Sequence, residues 1–288
     1  MALKLDRRRH PVRPDLAARA YQGKVEAARF VDGTKRTVIA DRLAFRAHPR
    51  LDAGIDTEAL YGEEITVFEE TPDGWAWGQL STDGYVGWFS TGGIGAHIGW
   101  SHRVSALRTF RYPGPDLKHP PLGALSLGSR VRAERETVTR GLVYAELADG
   151  SFVVAKHLTP MDRLIDDWVT VAEQFLETPY LWGGRSSLGL DCSALVQLAA
   201  AEAGLAVPRD SDMQAAEAGT AVFPDDLDAL MRGDLVFWTG HVGIVQGPNR
   251  MLHANGYTMT VASEPLKAAV DRILASEFGA VTGVRRLG

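Results

Sequence analysis

Cysteine is nearly absent from this sequence: Cys192 is the single example in 288 residues. One cysteine excludes an internal disulfide and any metal site built from several thiolates, so either reactivity or plain burial must explain it. Histidine is also sparse, with eight residues. Those outside the motifs described below are scattered without the spacing of metal ligands. We therefore predict neither a metal nor an organic cofactor.

Long apolar runs and an excess of basic residues are missing as well. The 31 Lys and Arg residues are outnumbered by 36 Asp and Glu, which gives a net charge of −5, whereas nucleic-acid-binding domains are basic. No segment is apolar enough to span a membrane, and the basic stretch Arg7–Arg9 lacks the apolar region that follows in a signal peptide. We expect no nucleic-acid partner, no membrane partner and a cytoplasmic location, where a thiol stays reduced.

The surroundings of Cys192 indicate a nucleophile. A glycine-rich loop precedes it, and residues 193–203 are rich in Ala, Leu and Gln, which favour helix. Cys192 is therefore predicted in the first turn of a helix, where the helix dipole and free backbone N–H groups lower the pKa of a thiol. Asp191 is a preferred helix cap, but its negative charge by itself raises that pKa. The competing interpretation is a small buried apolar residue.

Two histidines follow on predicted neighbouring strands, joined by a turn at Gly247–Asn249. If Val245 pairs with Met251, His241 and His253 share one face of the sheet within side-chain reach. A four-residue loop without a bulge would instead place them on opposite faces. Either histidine alone is more often a structural or surface residue.

Together with the cysteine, the histidines predict a catalytic triad. Cys192 would be the nucleophile, His241 the base and acid, and His253 the residue that orients His241. A histidine in the third position can accept a hydrogen bond from the first ring, but it brings no fixed negative charge.

The motifs that carry this chemistry resemble those of the NlpC/P60 cysteine peptidases, a papain-like group that acts on bacterial cell-wall peptides. They occur in order as Pro179–Gly184, Asp191–Ser193, Gly233–Trp238, His241–Ile244 and Leu252–Ala254. The resemblance covers residues 162–288 and implies an α+β, papain-like catalytic domain. It also implies cleavage of the bond between D-γ-glutamate and a diamino acid in peptidoglycan stem peptides.

Further site residues are implied by this resemblance. Cys192, His241 and His253 match the Cys-His-His triad of the family, and the backbone N–H of Cys192 would stabilise the oxyanion. Tyr180 matches a tyrosine that assists there, or it is a wall residue. Three further residues match positions that bind substrate in relatives specific for a free N-terminal L-Ala. Asp191 would receive the amine, or it caps the helix. Ser193 and Ser211 would form hydrogen bonds with the substrate, or they are solvated or capping serines.

An internal repeat of about 65 residues precedes the catalytic domain. Ala44–Arg46 recurs as Thr109–Arg111, and Leu60–Val67 as Ser126–Arg132. Each copy has the short strands and turns of a small barrel, and the first resembles bacterial SH3-like domains. Residues 15–30 are predicted to form a helix. The expected domains are an N-terminal helical segment at 1–35, two SH3-like β-barrels at 36–100 and 101–160, and the peptidase domain at 161–288.

The barrels would either anchor the enzyme to the cell wall or close one end of its groove. In relatives of the second kind a barrel tyrosine contacts substrate, so Tyr85 is predicted to bind substrate unless it belongs to the barrel core. We predict a peptidase that releases L-Ala-D-Glu from short murein peptides with a free N-terminal L-Ala, during recycling of the cell wall. The alternatives are an exported hydrolase of intact peptidoglycan, an amidase or acyltransferase on the same Cys-His scaffold, and a non-catalytic binding protein.

Overall fold

The computed structural model describes residues 5–224 and 226–288, so Met1 to Lys4 of the predicted N-terminal segment lie outside the described residues. The chain divides into two units, residues 1–161 and residues 162–288. No helix within the described ranges is both long and apolar enough to cross a membrane.

The first half of unit 1 consists of short strands around an apolar cluster that includes Val38, Ile65 and Leu80. The rings of Phe45 and Phe89 stack in this cluster with their centroids 4.6 Å apart. The strands are β1 (Ala17–Ala18), β2 (Phe30–Val31), β3 (Thr34–Val38), β4 (Arg42–Phe45), β5 (Thr57–Leu60), β6 (Glu64–Glu70), β7 (Trp75–Leu80), β8 (Val86–Ser90) and β9 (Ile94–Ala96). Five of them form a sheet in the order β8-β7-β6-β3-β9, and β4 and β5 form a separate two-stranded ribbon.

The second half of unit 1 has the same succession of elements around Val104, Leu125 and Val131. Its strands are β10 (His102–Val104), β11 (Arg108–Arg111), β12 (Gly123–Ser126), β13 (Arg130–Val131), β14 (Ala133–Thr139), β15 (Leu142–Leu147), β16 (Phe152–Val154) and β17 (Leu158–Pro160). They form the sheets β13-β10-β17 and β14-β15-β16 and the ribbon β11-β12. Each half also contains a 3₁₀ turn before its last strand, at Thr91–Gly93 and Ala155–His157.

Individual hydrogen bonds recur between the two halves. The N–H of Gly62 donates to the carbonyl of Val38 over 2.8 Å, and that of Gly128 to the carbonyl of Val104 over 2.9 Å. Both glycines have positive φ angles, +80° and +87°, which side chains other than glycine rarely adopt. The internal repeat is therefore a repeat of backbone structure as well as of sequence.

In one part of the repeat, the structure aligns the two copies one residue differently from the sequence. Ribbon β4-β5 places Arg42 opposite Leu60, and ribbon β11-β12 places Arg108 opposite Ser126. Phe110 therefore corresponds to Ala44, and not to Phe45 as the sequence alignment suggests. The burial of the two rings agrees, because Phe45 is fully buried whereas Phe110 is 52% exposed. A shift of one residue moves a side chain to the other face of a strand.

The two predicted SH3-like β-barrels are not confirmed as closed barrels. In the part of the chain that the structure describes, none of the sheets of unit 1 closes on itself. Ribbon β4-β5 reaches the five-stranded sheet through an isolated bridge between Arg46 and Trp88, and ribbon β11-β12 reaches its sheet through Tyr112 and Phe152. Because a single bridge does not continue a ladder, the hydrogen-bonded ring that defines a closed barrel is interrupted at the same point in both halves.

The predicted helix over residues 15–30 is wrong. This segment holds strand β1, a 3₁₀ turn at Arg19–Tyr21 and the first residue of β2. Ala17 pairs in parallel with Phe30, and Leu16 is fully buried. Gly23, with a φ of +78°, turns the chain back toward that pairing. The loosely spaced apolar residues that suggested a helix belong to a loop that folds back on itself.

Unit 2 is an α+β domain built on one six-stranded sheet. Its elements are α1 (Val169–Glu173), β18 (Arg185–Ser186), β19 (Gly189–Leu190), α2 (Cys192–Glu202), α3 (Ser211–Glu217), β20 (Thr220–Val222), β21 (Asp234–Trp238), β22 (His241–Gly247), β23 (Arg250–Asn255), β24 (Thr260–Pro265), α4 (Leu266–Leu274) and β25 (Gly283–Arg286). The sheet order is β20-β25-β21-β22-β23-β24, and every neighbouring pair is antiparallel.

Two helices flank the central hairpin of this sheet. Helix α2 packs against β22 and β23. Helix α4 contributes Leu266, Ala269 and Ile273 to a cluster that contains Val245 and Met251 of the same two strands. The hairpin β22-β23 is thus fixed by packing as well as by its ladder, and it carries both predicted catalytic histidines.

Substitution of Gly62 by alanine tests the contact between the two halves of unit 1. A Cβ at Gly62 would lie 1.7 Å from the carbonyl oxygen of Arg130, whereas one at Gly74, whose φ of +86° is similar, would meet nothing closer than 3.8 Å. Both alanines have the strain of a left-handed backbone, but only Gly62→Ala adds a clash. We expect Gly62→Ala to lower the free energy of unfolding by about 1–3 kcal/mol more than Gly74→Ala, by denaturant titration. Equal losses would show that the Arg130 backbone moves aside freely.

Candidate active site

Cys192 is the first residue of helix α2, as predicted from the sequence. The loop before it turns sharply: Gly183 has a φ of +72°, and a Cβ at Gly184 would lie 2.6 Å from the carbonyl oxygen of Gly189. The carboxylate of Asp191 accepts a hydrogen bond of 2.9 Å from the N–H of Ala194, which makes Asp191 the N-cap of the helix. The thiol is thereby held at the end of a rigid element.

Of the two registers that the sequence left open for the histidine hairpin, the structure has the one that pairs Val245 with Met251. Val245 pairs with Met251 and Gly247 with Arg250, so the connection is a tight turn with a bulge at Gln246. His241 and His253 consequently lie on one face, and Nε2 of His241 is 2.8 Å from Nδ1 of His253. Both side chains are buried. Since the hydrogen bond to His253 uses Nε2, Nδ1 is the nitrogen of His241 that remains for another partner.

Aromatic rings enclose His241. Its ring centroid lies 5.7 Å from that of Trp238 and 5.8 Å from that of Phe278. Burial lowers the pKa of His241 to about 3, and His253 and the charge of Arg272 act in the same direction. His241 is therefore an uncharged base at neutral pH.

The thiol is also uncharged in this structure, contrary to the lowered pKa predicted from its place on the helix. Burial raises the pKa of Cys192 to about 12, and the charge of Asp191 adds to the increase. Hydrogen bonds from the backbone N–H groups of Val242 and Ser193, together with the charge of Arg209, oppose it without compensating it. Desolvation thus outweighs the helix dipole. The contact with Val242 places the sulfur at the beginning of β22, the strand whose first residue is His241.

Asp191 already has a cationic partner. The Arg209 guanidinium donates to both carboxylate oxygens, over 2.9 Å from Nη1 and 2.7 Å from Nη2. Ser193 Oγ and the N–H groups of Gly183 and Ala194 also donate to this carboxylate. With five donors on a group that has about four acceptor positions, Asp191 is saturated. Its capping role is observed, and the cation it receives is Arg209.

The remaining predicted residues fall into three places. Ser193 is buried, donates to Asp191 over 3.1 Å and accepts from Arg209 over 2.9 Å, so it belongs to the same network. Ser211, half-buried, is the first residue of α3, two positions after Arg209. Tyr180 is half-buried. Burial is the main cause that raises the pKa of its phenol, and the charges of Cys192 and Asp191 add to it, so the phenol stays protonated. Tyr85 belongs to unit 1 and is 3% exposed.

Two residues of the site were missed by the sequence analysis. Arg209 is 1% exposed and compensates Asp191, but an arginine after a proline carries no recognisable pattern. Glu264 on β24 lies with its Oε1 atom 2.6 Å from Nε2 of His253. Only the pairing of β23 with β24 brings it there, and nothing in its local sequence indicates that pairing.

Two regions of the chain match the profiles of known families. The profile of the NlpC/P60 family matches residues 177–272, and that of the bacterial dipeptidyl-peptidase SH3 domain matches residues 45–94. A γ-D-glutamyl-L-lysine dipeptidyl-peptidase of Bacillus cereus is 26% identical over 244 residues, which cover 74% of this chain and 71% of the relative. Dipeptidyl-peptidase 6 of Lysinibacillus sphaericus is 25% identical over 238 residues, covering 76% of this chain and 86% of the relative.

The fold is shared with solved structures. The crystal structure of an NlpC/P60 family protein from Bacillus cereus matches 88% of this chain and 99% of its own with a TM-score of 0.70 and 21% identity. An NlpC/P60 endopeptidase from Photobacterium damselae matches 88% of this chain and 71% of its own with a TM-score of 0.61 and 16% identity. Together with this shared fold, the two profile matches show that the chain carries an NlpC/P60 domain preceded by a bacterial SH3 domain.

Proposed function

We propose that this protein hydrolyses the bond between D-γ-glutamate and a diamino acid in short murein peptides with a free N-terminal L-Ala. Two observations carry the proposal: the hydrogen-bonded pair of His241 and His253, and a cysteine on a helix N-terminus whose sulfur accepts a hydrogen bond from Val242, the residue after His241. The two relatives described above are named as dipeptidyl-peptidases, one of them for the γ-D-glutamyl-L-lysine bond.

The first half of the reaction forms a thioester. As the sulfur of Cys192 attacks the γ-carbonyl carbon of D-glutamate, the thiol proton passes to Nδ1 of His241. The carbonyl oxygen becomes an oxyanion that the backbone N–H of Cys192 and the protonated phenol of Tyr180 stabilise. When the intermediate collapses, the C–N bond breaks and His241 gives its proton to the departing amine of the diamino acid.

Water completes the cycle. His241 takes a proton from a water molecule, whose oxygen attacks the thioester carbon, and the C–S bond breaks as the sulfur is reprotonated. The products are L-Ala-D-Glu and the peptide that begins with the diamino acid. An amine in place of water would give acyl transfer, so the acceptor distinguishes this peptidase from an acyltransferase on the same residues.

The substrate is proposed to be a free peptide of the recycling pathway and not the intact wall. The length of the shared region supports this proposal, because the match to the named dipeptidyl-peptidases includes residues of both units. Ser193 and Ser211 remain the proposed contacts for the substrate backbone and amine. The cytoplasmic location and the contact of Tyr85 with substrate stay predictions.

We also propose that residues 101–160 form a second SH3-like domain after the first at 36–100. The support is the recurrence of the Gly62 and Gly128 turns, the two ribbons and the 3₁₀ turns in the same order. This repeat would make unit 1 a tandem of related domains that precedes the peptidase domain at 161–288.

Cleavage of L-Ala-γ-D-Glu-diaminopimelate tests the proposed substrate, with the L-Lys peptide and the N-acetylated peptide alongside. We expect release of L-Ala-D-Glu from the free-amine peptides, seen by mass spectrometry, and at least a 100-fold slower reaction of the acetylated one, because acetylation removes the cationic amine. Cys192→Ala should abolish all cleavage. Equal cleavage with and without acetylation would refute the free-amine proposal, and release of fragments from sacculi alone would indicate an exported hydrolase.

The pH dependence of thiol alkylation tests the neutral Cys192–His241 pair. In the native protein the proton moves from the thiol to His241 inside the site, so the reactive fraction is independent of pH between the pKa of His241, about 3, and that of Cys192, about 12. We expect a nearly constant rate of reaction with iodoacetamide from about pH 5 to 8. In His241→Gln the proton must leave to solvent, so the rate should rise about tenfold per pH unit. Identical profiles would exclude His241 as the base.

Asp191→Asn separates binding of a substrate amine from internal charge compensation. The substitution removes the negative charge of the buried carboxylate that pairs with Arg209. We therefore expect the free energy of unfolding to fall by about 3–5 kcal/mol, with equal losses of activity on the free-amine and acetylated peptides. Ser211→Ala, which leaves the ion pair intact, should change stability by less than about 0.5 kcal/mol. A selective loss of the free-amine substrate in stable Asp191→Asn protein would show that Asp191 binds the amine directly.

A further inference from the structure

The carboxylate of Glu264 contacts the ring of His253 on the nitrogen that does not bind His241. In the pairing of β23 with β24, His253 is opposite Ala262 and Met251 opposite Glu264, so Glu264 lies on the face that carries the histidines. Its Oε1 atom is 2.6 Å from Nε2 of His253. The side chain of His253 has no exposed surface, whereas that of Glu264 is 21% exposed. The hydrogen bond is therefore screened from water at the imidazole end.

An ionised carboxylate determines which nitrogens carry protons. The hydrogen bond from His253 holds the pKa of Glu264 below its usual range, and the ion pair with Arg272 acts in the same direction against desolvation. A carboxylate only accepts hydrogen bonds, so Nε2 of His253 must carry a proton. Nδ1 of a neutral His253 is then an acceptor, which requires the proton of His241 to be on Nε2. Nδ1 of His241 is left with a free lone pair.

We propose that Glu264 is a positioning residue that fixes the tautomers of both histidines and thereby presents Nδ1 of His241 as the base for Cys192. It also supplies the fixed negative charge that a Cys-His-His triad otherwise lacks, so it stabilises the imidazolium formed during attack. The inference rests on the proposed roles of Cys192, His241 and His253.

Arg272 keeps Glu264 in place. From helix α4 its guanidinium forms an ion pair with the same Oε1 atom that accepts from His253, and its carbon Cζ lies 4.3 Å from the centre of the Tyr257 ring. Arg272 holds the carboxylate in its ionised form, and its positive charge lowers the pKa of His241. On the side of the thiol, Asp191 and Arg209 act on the pKa of Cys192, whereas Cys192 and Asp191 raise the pKa of Tyr180.

Glu264→Gln retains the size of the side chain at position 264 and removes its negative charge. A glutamine amide can donate to Nε2 of His253 and so reverse both tautomers, which would leave His241 protonated on Nδ1. We expect kcat on L-Ala-γ-D-Glu-diaminopimelate to fall by about 10- to 100-fold, the scale at which loss of the partner behind a functional histidine acts, with KM within about twofold. Glu264→Asp, which retains the carboxylate, should recover most of the rate. Glu277→Gln removes one exposed negative charge from the same unit and should match the native protein.

Alkylation of the thiol makes the test independent of the substrate. In Glu264→Gln the constant rate of iodoacetamide reaction between about pH 5 and 8 should be replaced by a rate that rises with pH, as in His241→Gln. If the native protein cleaves none of the peptides, the proposed function fails while this readout still tests Glu264. A native alkylation profile and native kcat in Glu264→Gln would overturn the inference.

Nitrogen-15 NMR of the native protein covers the case in which the variants do not fold. Both histidines should show a protonated Nε2 and an unprotonated Nδ1 at neutral pH. The opposite tautomer in either ring would refute the role of Glu264, whatever the activities of the variants.

Discussion

The pairing of Val245 with Met251 is the constraint on which the proposed chemistry depends. A strand alternates its faces, so a slip of one residue in this hairpin would turn His253 away from His241. The register is held by the bulge at Gln246, whose carbonyl oxygen is outside the ladder and accepts from Arg232 over 2.5 Å. Helix α4 then packs on the paired side chains. The geometry of the triad is thus built from backbone register and apolar packing.

The site also depends on arginines that compensate the charge of its carboxylates. Asp191 caps the helix that carries the thiol, but an uncompensated carboxylate there would oppose formation of a thiolate. Arg209 neutralises it and is itself almost completely buried, so neither group can be removed without leaving a buried charge. A similar arrangement occurs on the other side of the triad, where Arg272 accompanies Glu264. Each carboxylate that orients a catalytic element has an arginine of its own.

Sequence analysis predicted the features that short stretches determine. The position of Cys192 on a helix followed from its cap and from the helix formers after it, and the strands of both histidines followed from their composition. The hairpin remained a choice between two registers, because the bulge depends on tertiary packing. Arg209 and Glu264 were missed because each meets its partner through long-range pairing. The predicted helix over residues 15–30 was wrong because the segment is a folded-back loop in which Ala17 pairs with Phe30, and its apolar residues imitate helical spacing.

The buried, protonated state of Cys192 has a consequence for the survival of the protein. Oxidants such as peroxides react with thiolates far faster than with thiols, and the first product, a sulfenic acid, can proceed to irreversible states. A thiol with a pKa of about 12, shielded from solvent, is a poor target for such oxidation. The sequence has no second cysteine to form a protective disulfide, so we expect the protonated resting state to be the main factor that slows oxidation of the nucleophile between turnovers.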